Sequence, residues 1–319
     1  MNIYFVTYNF TNAGTSGGDQ YHYNLSQIML SWGWDVRALN RSCKSIHTID
    51  GVAVYPITSD GINHHYENQQ WADQLITFPM PHKLCELKER IGSNPLEARV
   101  PKKPTTIIKH NNGKEPFDFT HYKFLFCGQS AKDESHVKCK DSFVFNPINR
   151  YYGTDKRGNP AGRWILVNCN DNKGGARLIQ IAKMCPDIQF AGVLGTYGSQ
   201  ITEDLPNLEY WPADNDMSKY YQQAAGLLSL SVREGFPTVV MEAMSHGLPV
   251  VGLGGCRGFM DAAGFAGICR STHKIIANNI LAIMTIPGEY EASVNLSLHR
   301  AAEIETNRDY EGLKAFLSQ

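Results

Sequence analysis

The stretch from Gly226 to Gly255 constrains the fold of this chain more than any other part of the sequence. It reads GLLSLSVREGFPTVVMEAMSHGLPVVGLGG: an apolar run, a polar loop, a helical pattern and a second apolar run. Short apolar runs of this kind are typical of strands buried in a parallel sheet. Gly247 predicts the end of the helix, and Pro249 follows it before the second strand. The stretch therefore predicts a β-α-β unit of about 30 residues, and with it an α/β fold.

Two acidic side chains belong to this unit, one on its loop and one on its helix. Glu234 follows the first predicted strand, and Glu242 lies on the predicted helix. Ligands of open α/β sheets bind at the carboxyl ends of the strands, and the amide groups of a helix start favour anions at the same edge. This combination suits a nucleotide sugar, because the diphosphate can meet the amide groups while the sugar and the ribose bind the acids.

The same block of sequence resembles the Glu-x7-Glu motif of family 4 retaining glycosyltransferases. The resemblance rests on Arg233 to Pro237, on Glu242 to Met244 and on Gly247 to Val251. Two acids at this spacing would be a weak signal, but the whole block of about 20 residues is specific. The resemblance implies the GT-B architecture, in which two Rossmann-like domains with parallel sheets face a central cleft. An ordinary β-α-β connection with solvated acids is the alternative.

The resemblance also implies a role for each residue of the block. Glu234 would orient the donor sugar and stabilise charge rather than act as a nucleophile, and Glu242 would accept the ribose hydroxyl groups. The other donor-binding positions that it implies here are Arg233, Gly235, Phe236, Thr238 and Val239.

A second loop supplies a candidate cation for the leaving diphosphate. Lys173 lies in the run Asn170 to Gly175, which resembles the Lys-Gly element of the family. Asn168 stands where many members have arginine, so one guanidinium group is missing. Charge that develops on a leaving group can be stabilised by a metal or by fixed donors, and GT-B enzymes generally use fixed donors. The resemblance therefore implies no metal and no cofactor, with the nucleotide-diphosphate sugar as co-substrate.

The N-terminal part predicts another α/β domain. Asn2 to Tyr8 predicts a strand, and a glycine-rich loop and a helical pattern follow it. Gly17 and Gly18 match a Gly-Gly pair that precedes this helix in the family and lets the backbone approach the donor. His110 follows a later predicted strand and matches a family histidine near the donor sugar, so it joins Glu234 as a catalytic candidate. A purely structural role is the alternative for both features.

Domain limits follow from this organisation. Residues 1–155 are predicted to form an N-terminal Rossmann-like domain on the acceptor side, and residues 156–300 a C-terminal Rossmann-like domain that binds the nucleotide sugar. The resemblance implies that residues 301–319 form a helix that packs back toward the N-terminal domain. Glycine and proline in residues 150–163 indicate an interdomain linker, and residues 79–103 predict a helix and an exposed loop.

Composition excludes several other classes of function. The chain has 319 residues, enough for two domains, and a formal net charge of −1, which implies no strong field for nucleic acid or membranes. Its eight cysteines include no Cys-x-x-Cys pair, so no zinc or redox motif is indicated. The sequence shows no signal peptide and no apolar stretch long enough to span a membrane, so it predicts a cytoplasmic protein.

These observations predict a retaining, metal-independent glycosyltransferase of the hexosyltransferase type. Its donor would be a UDP-sugar, because UDP is the nucleotide most common in that family. The acceptor would be a hydroxyl group of a glycan or of a lipid-linked saccharide. An alternative is a transferase that acts on hydroxymethylated bases in DNA, as some compact relatives do. The lysines compatible with such a polyanion are Lys102, Lys103, Lys109 and Lys114.

Two further alternatives share the fold, and two local patterns are set aside. A nucleotide-sugar epimerase and a catalytically silent nucleotide-sugar-binding protein would have the same architecture. Asp214-Asn215-Asp216 resembles a metal-binding Asp-x-Asp, but it directly precedes a helical pattern, which indicates helix capping. The glycines from Gly252 to Gly258 have the wrong spacing for a dinucleotide-binding loop.

Overall fold

The computed structural model describes most of the chain. The described residues are 1–7, 9–12, 16–40, 43–56, 61–77, 103–110, 119–270 and 272–319. The helix and loop predicted for residues 79–103 lie outside them except for Lys103, and Lys102 and Lys114 also lie outside.

The described residues form two compact units. The first comprises residues 1–127, 135–145 and 310–319, and the second comprises residues 128–134 and 146–309. In chain order the helices and strands are β1 (Asn2–Val6), α1 (Gly17–Ser31), β2 (Asp35–Asn40), β3 (His47–Ile49), β4 (Val52–Pro56), α2 (Gly61–Trp71), β5 (Gln74–Thr77), β6 (Thr105–Lys109), β7 (Phe119–Phe126), α3 (Gln129–Ser135), β8 (Cys139–Val144), β9 (Arg163–Val167), α4 (Gly175–Met184), β10 (Phe190–Val193), β11 (Leu208–Trp211), α5 (Ser218–Tyr221), β12 (Ala224–Ser229), α6 (Thr238–Ser245), β13 (Val250–Leu253), α7 (Arg257–Ala263), β14 (Gly267–Arg270), α8 (His273–Thr285), α9 (Glu289–Thr306) and α10 (Tyr310–Ser318). The predicted domain limits stay predictions.

An eight-stranded sheet forms the core of the first unit, in the order β3-β4-β2-β1-β5-β6-β7-β8. The strand pairs are parallel, except that β3 pairs with β4 in the antiparallel sense. Ile3, Tyr4 and Phe5 are consecutive and fully buried, as expected of a strand covered on both faces. The sheet thus places the carboxyl ends of β1 and β6 on the same edge.

Helix α1 begins at Gly17, which is earlier than the sequence suggests. Ser16 caps it by accepting a hydrogen bond from the Asp19 N–H, so Gly17 and Gly18 form its first turn instead of the loop before it. The loop assignment was wrong, because a serine cap fixes the helix start independently of the glycines. The backbone amide groups of both glycines consequently belong to a helix N-terminus.

Helix α10, at the C-terminus, belongs to the first unit. The buried Lys123 donates a hydrogen bond from Nζ to the Phe316 carbonyl oxygen at 2.7 Å, and the Phe143 and Phe316 rings stack at 5.6 Å between centroids. Leu313 and Leu317 are completely buried. The last residues of the chain therefore complete the core of the unit that contains the first residues.

The second unit contains an all-parallel six-stranded sheet in the order β11-β10-β9-β12-β13-β14. Glycines let large side chains lie across its central strands. A Cβ on Gly226 would lie 2.5 Å from the Trp164 ring, and one on Gly252 would lie 2.5 Å from the Phe259 ring. Gly252, the first glycine of the pattern that was set aside, thus accommodates a core aromatic ring. Two units with parallel sheets confirm the predicted α/β class.

The segment predicted as a linker, residues 150–163, is part of the second unit. The Gly158 N–H donates to the His246 carbonyl oxygen at 2.9 Å, and the Asn159 N–H donates to the Ala224 carbonyl oxygen at 2.8 Å. A Cβ on Gly158 would lie 2.2 Å from a methyl carbon of Leu248. The linker prediction was wrong because this glycine permits close packing, which composition cannot distinguish from flexibility. Among the described residues, no helix is long and apolar enough to cross a membrane.

Candidate active site

The loop between β12 and α6 ends in an open helix start. Pro237 precedes α6 in an extended conformation, and no side chain of the described residues caps this end. Thr238 and Val239 begin the helix and are half-buried. Their backbone N–H groups belong to the first turn, which has no intrahelical partners. A helix start of this kind is a suitable site for a phosphate oxygen.

Lys173 and Glu234 are in direct contact beside this loop. Lys173 Nζ lies 2.5 Å from Glu234 Oε1, with the side chains 28% and 15% exposed. Burial alone lowers the pKa of Lys173, but the Glu234 carboxylate outweighs it, and the net shift is upward. The structure thus brings together the predicted cation and the first predicted acid, and both side chains are partly accessible.

Two glycines that follow Lys173 pack closely against neighbouring residues and fix the position of its loop. A Cβ on Gly174 would lie 2.5 Å from the Leu230 Cβ, and one on Gly175 would lie 2.0 Å from the Cys169 carbonyl oxygen. Gly174 also has a φ of 93°, which favours glycine. The Asn170 side chain accepts a hydrogen bond from the Lys173 N–H at 2.9 Å. The loop after β9 is therefore folded tightly against the end of β12.

Glycines also hold the backbone of Glu234, and sequence reasoning missed them. A Cβ on Gly258 would lie 2.1 Å from the Glu234 carbonyl oxygen, and one on Gly128 would lie 2.7 Å from the Gly235 carbonyl oxygen. The Ser130 hydroxyl group donates to the same Gly235 oxygen at 3.2 Å. Gly258 belongs to the glycine pattern that was set aside, from Gly252 to Gly258. Its contact with Glu234 could not be predicted, because the two residues are distant in sequence.

Glu242, the second predicted acid, is buried and already has two donors within the chain. Arg150 Nε lies 3.2 Å from its Oε1, and the Tyr221 hydroxyl group donates to its Oε2 at 2.8 Å. Burial raises the pKa of Glu242 above its usual value, although Arg150 and Tyr221 act in the opposite direction. The sequence analysis did not identify Arg150 or Tyr221, because each contact joins residues far apart in the chain.

Asn168 does not take the place of the missing arginine. Its side chain is buried, its Oδ1 accepts from Gln200 Nε2 at 3.0 Å, and its φ is 67°. A Cβ on Gly195 would lie 2.2 Å from the Asn168 side chain. Position 168 therefore supports the loops around it, and Lys173 is the cation placed beside Glu234.

The remaining loop candidates differ in what they can offer a ligand. Arg233 is exposed, whereas Gly235 and Phe236 are buried. Phe236 is only 6% exposed, so its backbone is the part that could contact a donor.

His110 and Gly18 lie together in the first unit. A Cβ on Gly18 would lie 3.8 Å from the His110 ring, an ordinary contact. His110 Nε2 lies 3.2 Å from His22 Nε2, and Tyr21 packs edge-on against the His110 ring at 5.1 Å. Burial lowers the pKa of His110 to about 4, so this imidazole is neutral at pH 7. Gly17, which is exposed, begins the same helix.

The acidic run before α5 forms hydrogen bonds to nearby backbone N–H groups, although Met217 and not Asp216 occupies the cap position. Asp216 Oδ1 accepts a hydrogen bond from the Ser218 N–H at 3.1 Å, and Asp214 Oδ1 accepts one from the Asp216 N–H at 2.8 Å. Asp214 also pairs with Lys219. In the part of the chain that the structure describes, no three His, Cys, Asp or Glu side chains are grouped to hold a metal ion.

Comparison with known proteins gives a family match within the second unit. Residues 190–285 match the family model "Glycosyl transferases group 1", and this span includes Glu234 and Glu242. No curated protein matches the chain by sequence. The match covers the β10-to-α8 part of the second unit.

Several solved structures are similar over nearly the whole chain. Sucrose-phosphate synthase from Thermosynechococcus elongatus is 12% identical with a TM-score of 0.71, covering 100% of this chain and 98% of that chain. HepE from Anabaena in complex with UDP-glucose is 14% identical with a TM-score of 0.70, covering 100% and 98%. WaaG, a glycosyltransferase involved in lipopolysaccharide biosynthesis, is 15% identical with a TM-score of 0.66, covering 98% of each chain. At these identities the similarity shows the fold, and the predicted GT-B architecture is confirmed.

Proposed function

We propose that this protein is a retaining, metal-independent glycosyltransferase that moves a sugar from a nucleotide-diphosphate sugar to a hydroxyl acceptor. The observation that carries the proposal is the 2.5 Å contact between Lys173 and Glu234 at the loop that leads into the uncapped start of α6. A cation and helix-start amide groups suit a diphosphate, and a carboxylate suits sugar hydroxyl groups. The matched family over residues 190–285 supports the same class.

In this proposal the second unit binds the donor. Lys173 and the amide groups of Thr238 and Val239 contact the diphosphate, with further backbone contacts at Gly235 and Phe236. Glu242 accepts the ribose hydroxyl groups, and Glu234 contacts the transferred sugar. The exposed Arg233 adds positive charge beside the loop.

The chemistry follows from where charge develops. The bond between the anomeric carbon and the leaving phosphate oxygen breaks, and a bond from the acceptor oxygen forms on the same face. The acceptor proton passes to the leaving phosphate oxygen, and Lys173 and the amide groups stabilise the negative charge of the departing diphosphate. Glu234 positions the sugar and stabilises positive charge on it. This front-face route is what the resemblance to retaining transferases implies.

For the first unit, the proposal retains the predicted roles. His110 is a neutral hydrogen-bonding group for the donor sugar, since its pKa of about 4 leaves it uncharged at pH 7. The first-turn amide groups at Gly17 and Gly18 approach the donor. A cytoplasmic location also stays a proposal.

UDP is the proposed nucleotide, and a saccharide the proposed acceptor. HepE was solved with UDP-glucose, and a TarM variant was solved with UDP and α-GlcNAc-glycerol. Both proteins have the fold of this chain, so both observations support testing UDP-sugars first. Lys109, one of the lysines considered for DNA binding, is completely buried and therefore does not support the DNA alternative.

Transfer is tested by incubating the protein with UDP-glucose, UDP-galactose and UDP-N-acetylglucosamine, each with saccharide, lipid-linked saccharide or hydroxymethylated DNA as acceptor. The proposal predicts UDP release that depends on the acceptor and persists in EDTA, and an α-linked product by proton NMR. A β-linked product would rule out retention. A strict Mn²⁺ requirement would rule out metal independence and direct attention to Asp214 and Asp216. An epimerised free sugar nucleotide would indicate an epimerase.

A further inference from the structure

The carboxylate of Glu242 is held from two sides by groups that the motif does not include. Arg150 approaches Oε1 at 3.2 Å, and the Tyr221 hydroxyl group approaches Oε2 at 2.8 Å. Arg150 precedes the first strand of the second unit, and Tyr221 ends α5, so the two donors come from two separate segments of the chain, both of which precede Glu242. Each carboxylate oxygen thus has one donor from the chain.

This arrangement leaves the carboxylate able to accept more hydrogen bonds. An ionised carboxylate has about four acceptor positions, and two donors occupy two of them. A ribose ring offers two neighbouring hydroxyl groups, which match the positions that remain.

Burial makes the two donors necessary for the charge of Glu242. The Glu242 side chain is 8% exposed, and a buried carboxylate is costly unless it is paired and hydrogen-bonded. Burial raises its pKa, while Arg150 and the Tyr221 hydroxyl group lower it. Tyr221 is itself completely buried, with a pKa well above its usual value, so its hydroxyl group stays protonated and remains a donor.

Arg150 is fixed by its neighbours. The Asn149 side chain donates to the Met241 carbonyl oxygen at 3.0 Å and to the Ser245 hydroxyl group at 2.6 Å, both on α6. The Arg150 guanidinium carbon lies 4.7 Å from the centre of the Tyr151 ring, a cation–π distance. The segment that carries Arg150 is therefore attached to the helix that carries Glu242.

We infer that Arg150 and Tyr221 are positioning residues that set the selectivity for ribose over deoxyribose, by holding Glu242 so that it accepts the two ribose hydroxyl groups. The inference rests on the proposed function, because it takes Glu242 as the ribose-binding group. A merely structural role would weaken binding of ribonucleotide and deoxyribonucleotide equally, whereas a positioning role changes their ratio.

The test compares dissociation constants for UDP and 2′-deoxy-UDP by titration calorimetry. The unmodified protein is expected to prefer UDP by about tenfold or more, the difference made by one hydrogen bond to a charged group. Arg150→Gln and Tyr221→Phe are expected to reduce the preference to about threefold or less. The controls are Arg157→Gln and Tyr220→Phe, whose side chains bond to the carbonyl oxygens of Thr154, Lys156 and Pro212.

The outcomes separate the inference from the proposed function. A preference that collapses in Arg150→Gln and Tyr221→Phe, but not in the controls, supports the inference. A preference that survives both substitutions, in variants whose thermal melts show them folded, overturns the inference and leaves the proposed function intact. UDP binding without any preference in the unmodified protein overturns the inference together with the ribose role of Glu242, while the proposed transfer reaction stands. If UDP, GDP and ADP all fail to bind the unmodified protein, the proposed function fails and the inference fails with it.

Discussion

The contact between Lys173 and Glu234 determines what the candidate site can do with a diphosphate. The two side chains lie 2.5 Å apart, and a diphosphate would compete with Glu234 for the ammonium group. A single substitution of Glu234 can therefore distinguish binding of the nucleotide from transfer of the sugar.

Glu234→Gln should slow transfer strongly while preserving nucleotide binding. Loss of the carboxylate removes a charge that stabilises the transition state, so transfer should fall about 100-fold. UDP should bind at least as tightly as before, because Lys173 loses its counter-ion. Turnover of a UDP-sugar and calorimetry with UDP measure the two effects. The matched control is Glu203→Gln, which breaks an exposed pair with Lys183. Weaker UDP binding in Glu234→Gln, but not in Glu203→Gln, would contradict this account.

A partly buried histidine in the first unit, His65, should make stability depend on pH. His65 Nδ1 lies 2.9 Å from the Tyr4 hydroxyl group, and burial lowers its pKa to about 4. Because the folded pKa lies below the unfolded value, the stabilisation is present above pH 6.5 and is lost as the pH falls toward 4. Linkage puts the loss between pH 7 and pH 5 at about 2 kcal/mol.

The melting temperature at pH 7 and at pH 5 tests this expectation. His65→Gln should show a smaller decrease between the two pH values than the unmodified protein shows. His64→Gln is the control, since His64 is adjacent in sequence and its side chain is 44% exposed. Equal decreases in all three proteins would mean that His65 titrates normally.

At the scale of helices and strands, α7 positions the loop that carries Glu234. The α7 backbone approaches the Glu234 carbonyl oxygen so closely that position 258 has no space for a Cβ, which would lie 2.1 Å from that oxygen. The loop that carries Glu234 is thus located by contact with a neighbouring helix as well as by its own strand.

Gly258→Ala should therefore impair transfer without touching any ligand group. The carbonyl oxygen of Glu234 would have to move by about 1 Å, and a displacement of that size can cost about 100-fold in rate. Turnover of a UDP-sugar measures the effect, with circular dichroism to confirm folding. Met260→Ala, at an exposed position of the same helix, should retain the rate, and a Gly258→Ala protein of full activity would show that the loop is not located by α7.

The elements around Glu234 differ in how far the sequence could predict them. The strand, loop and helix around Glu234 were predicted closely, because the change from an apolar run to helical spacing and the stop at Gly247 are local signals. The role of Arg150 could not be predicted, since its partner Glu242 is distant in the chain and no local pattern links them. Gly158 was misread as part of a linker, and the close contact of Gly258 was not predicted, because a glycine that permits close packing has the same letter as one in a flexible turn.

At the scale of the whole molecule, the two ends of the chain meet in one unit. Helix α10 completes the first unit, while residues 146–309 form most of the second. Stability of the first unit should therefore depend on residues at the extreme C-terminus, although nucleotide binding is assigned to the second.

Leu313→Ala should destabilise the protein without weakening UDP binding. Leu313 is completely buried, and replacing a buried leucine by alanine costs about 2–5 kcal/mol. Limited proteolysis should then cut within the first unit more readily, while calorimetry should give an unchanged affinity for UDP. Glu311→Ala, at an exposed position of the same helix, should change neither, and a loss of UDP affinity in Leu313→Ala would tie binding to the first unit.

A crystal structure of the protein with UDP would test the central claim most directly. We predict a diphosphate oxygen within about 3 Å of Lys173 Nζ and ribose hydroxyl oxygens within about 3 Å of the Glu242 carboxylate. A nucleotide bound away from both side chains would contradict the account.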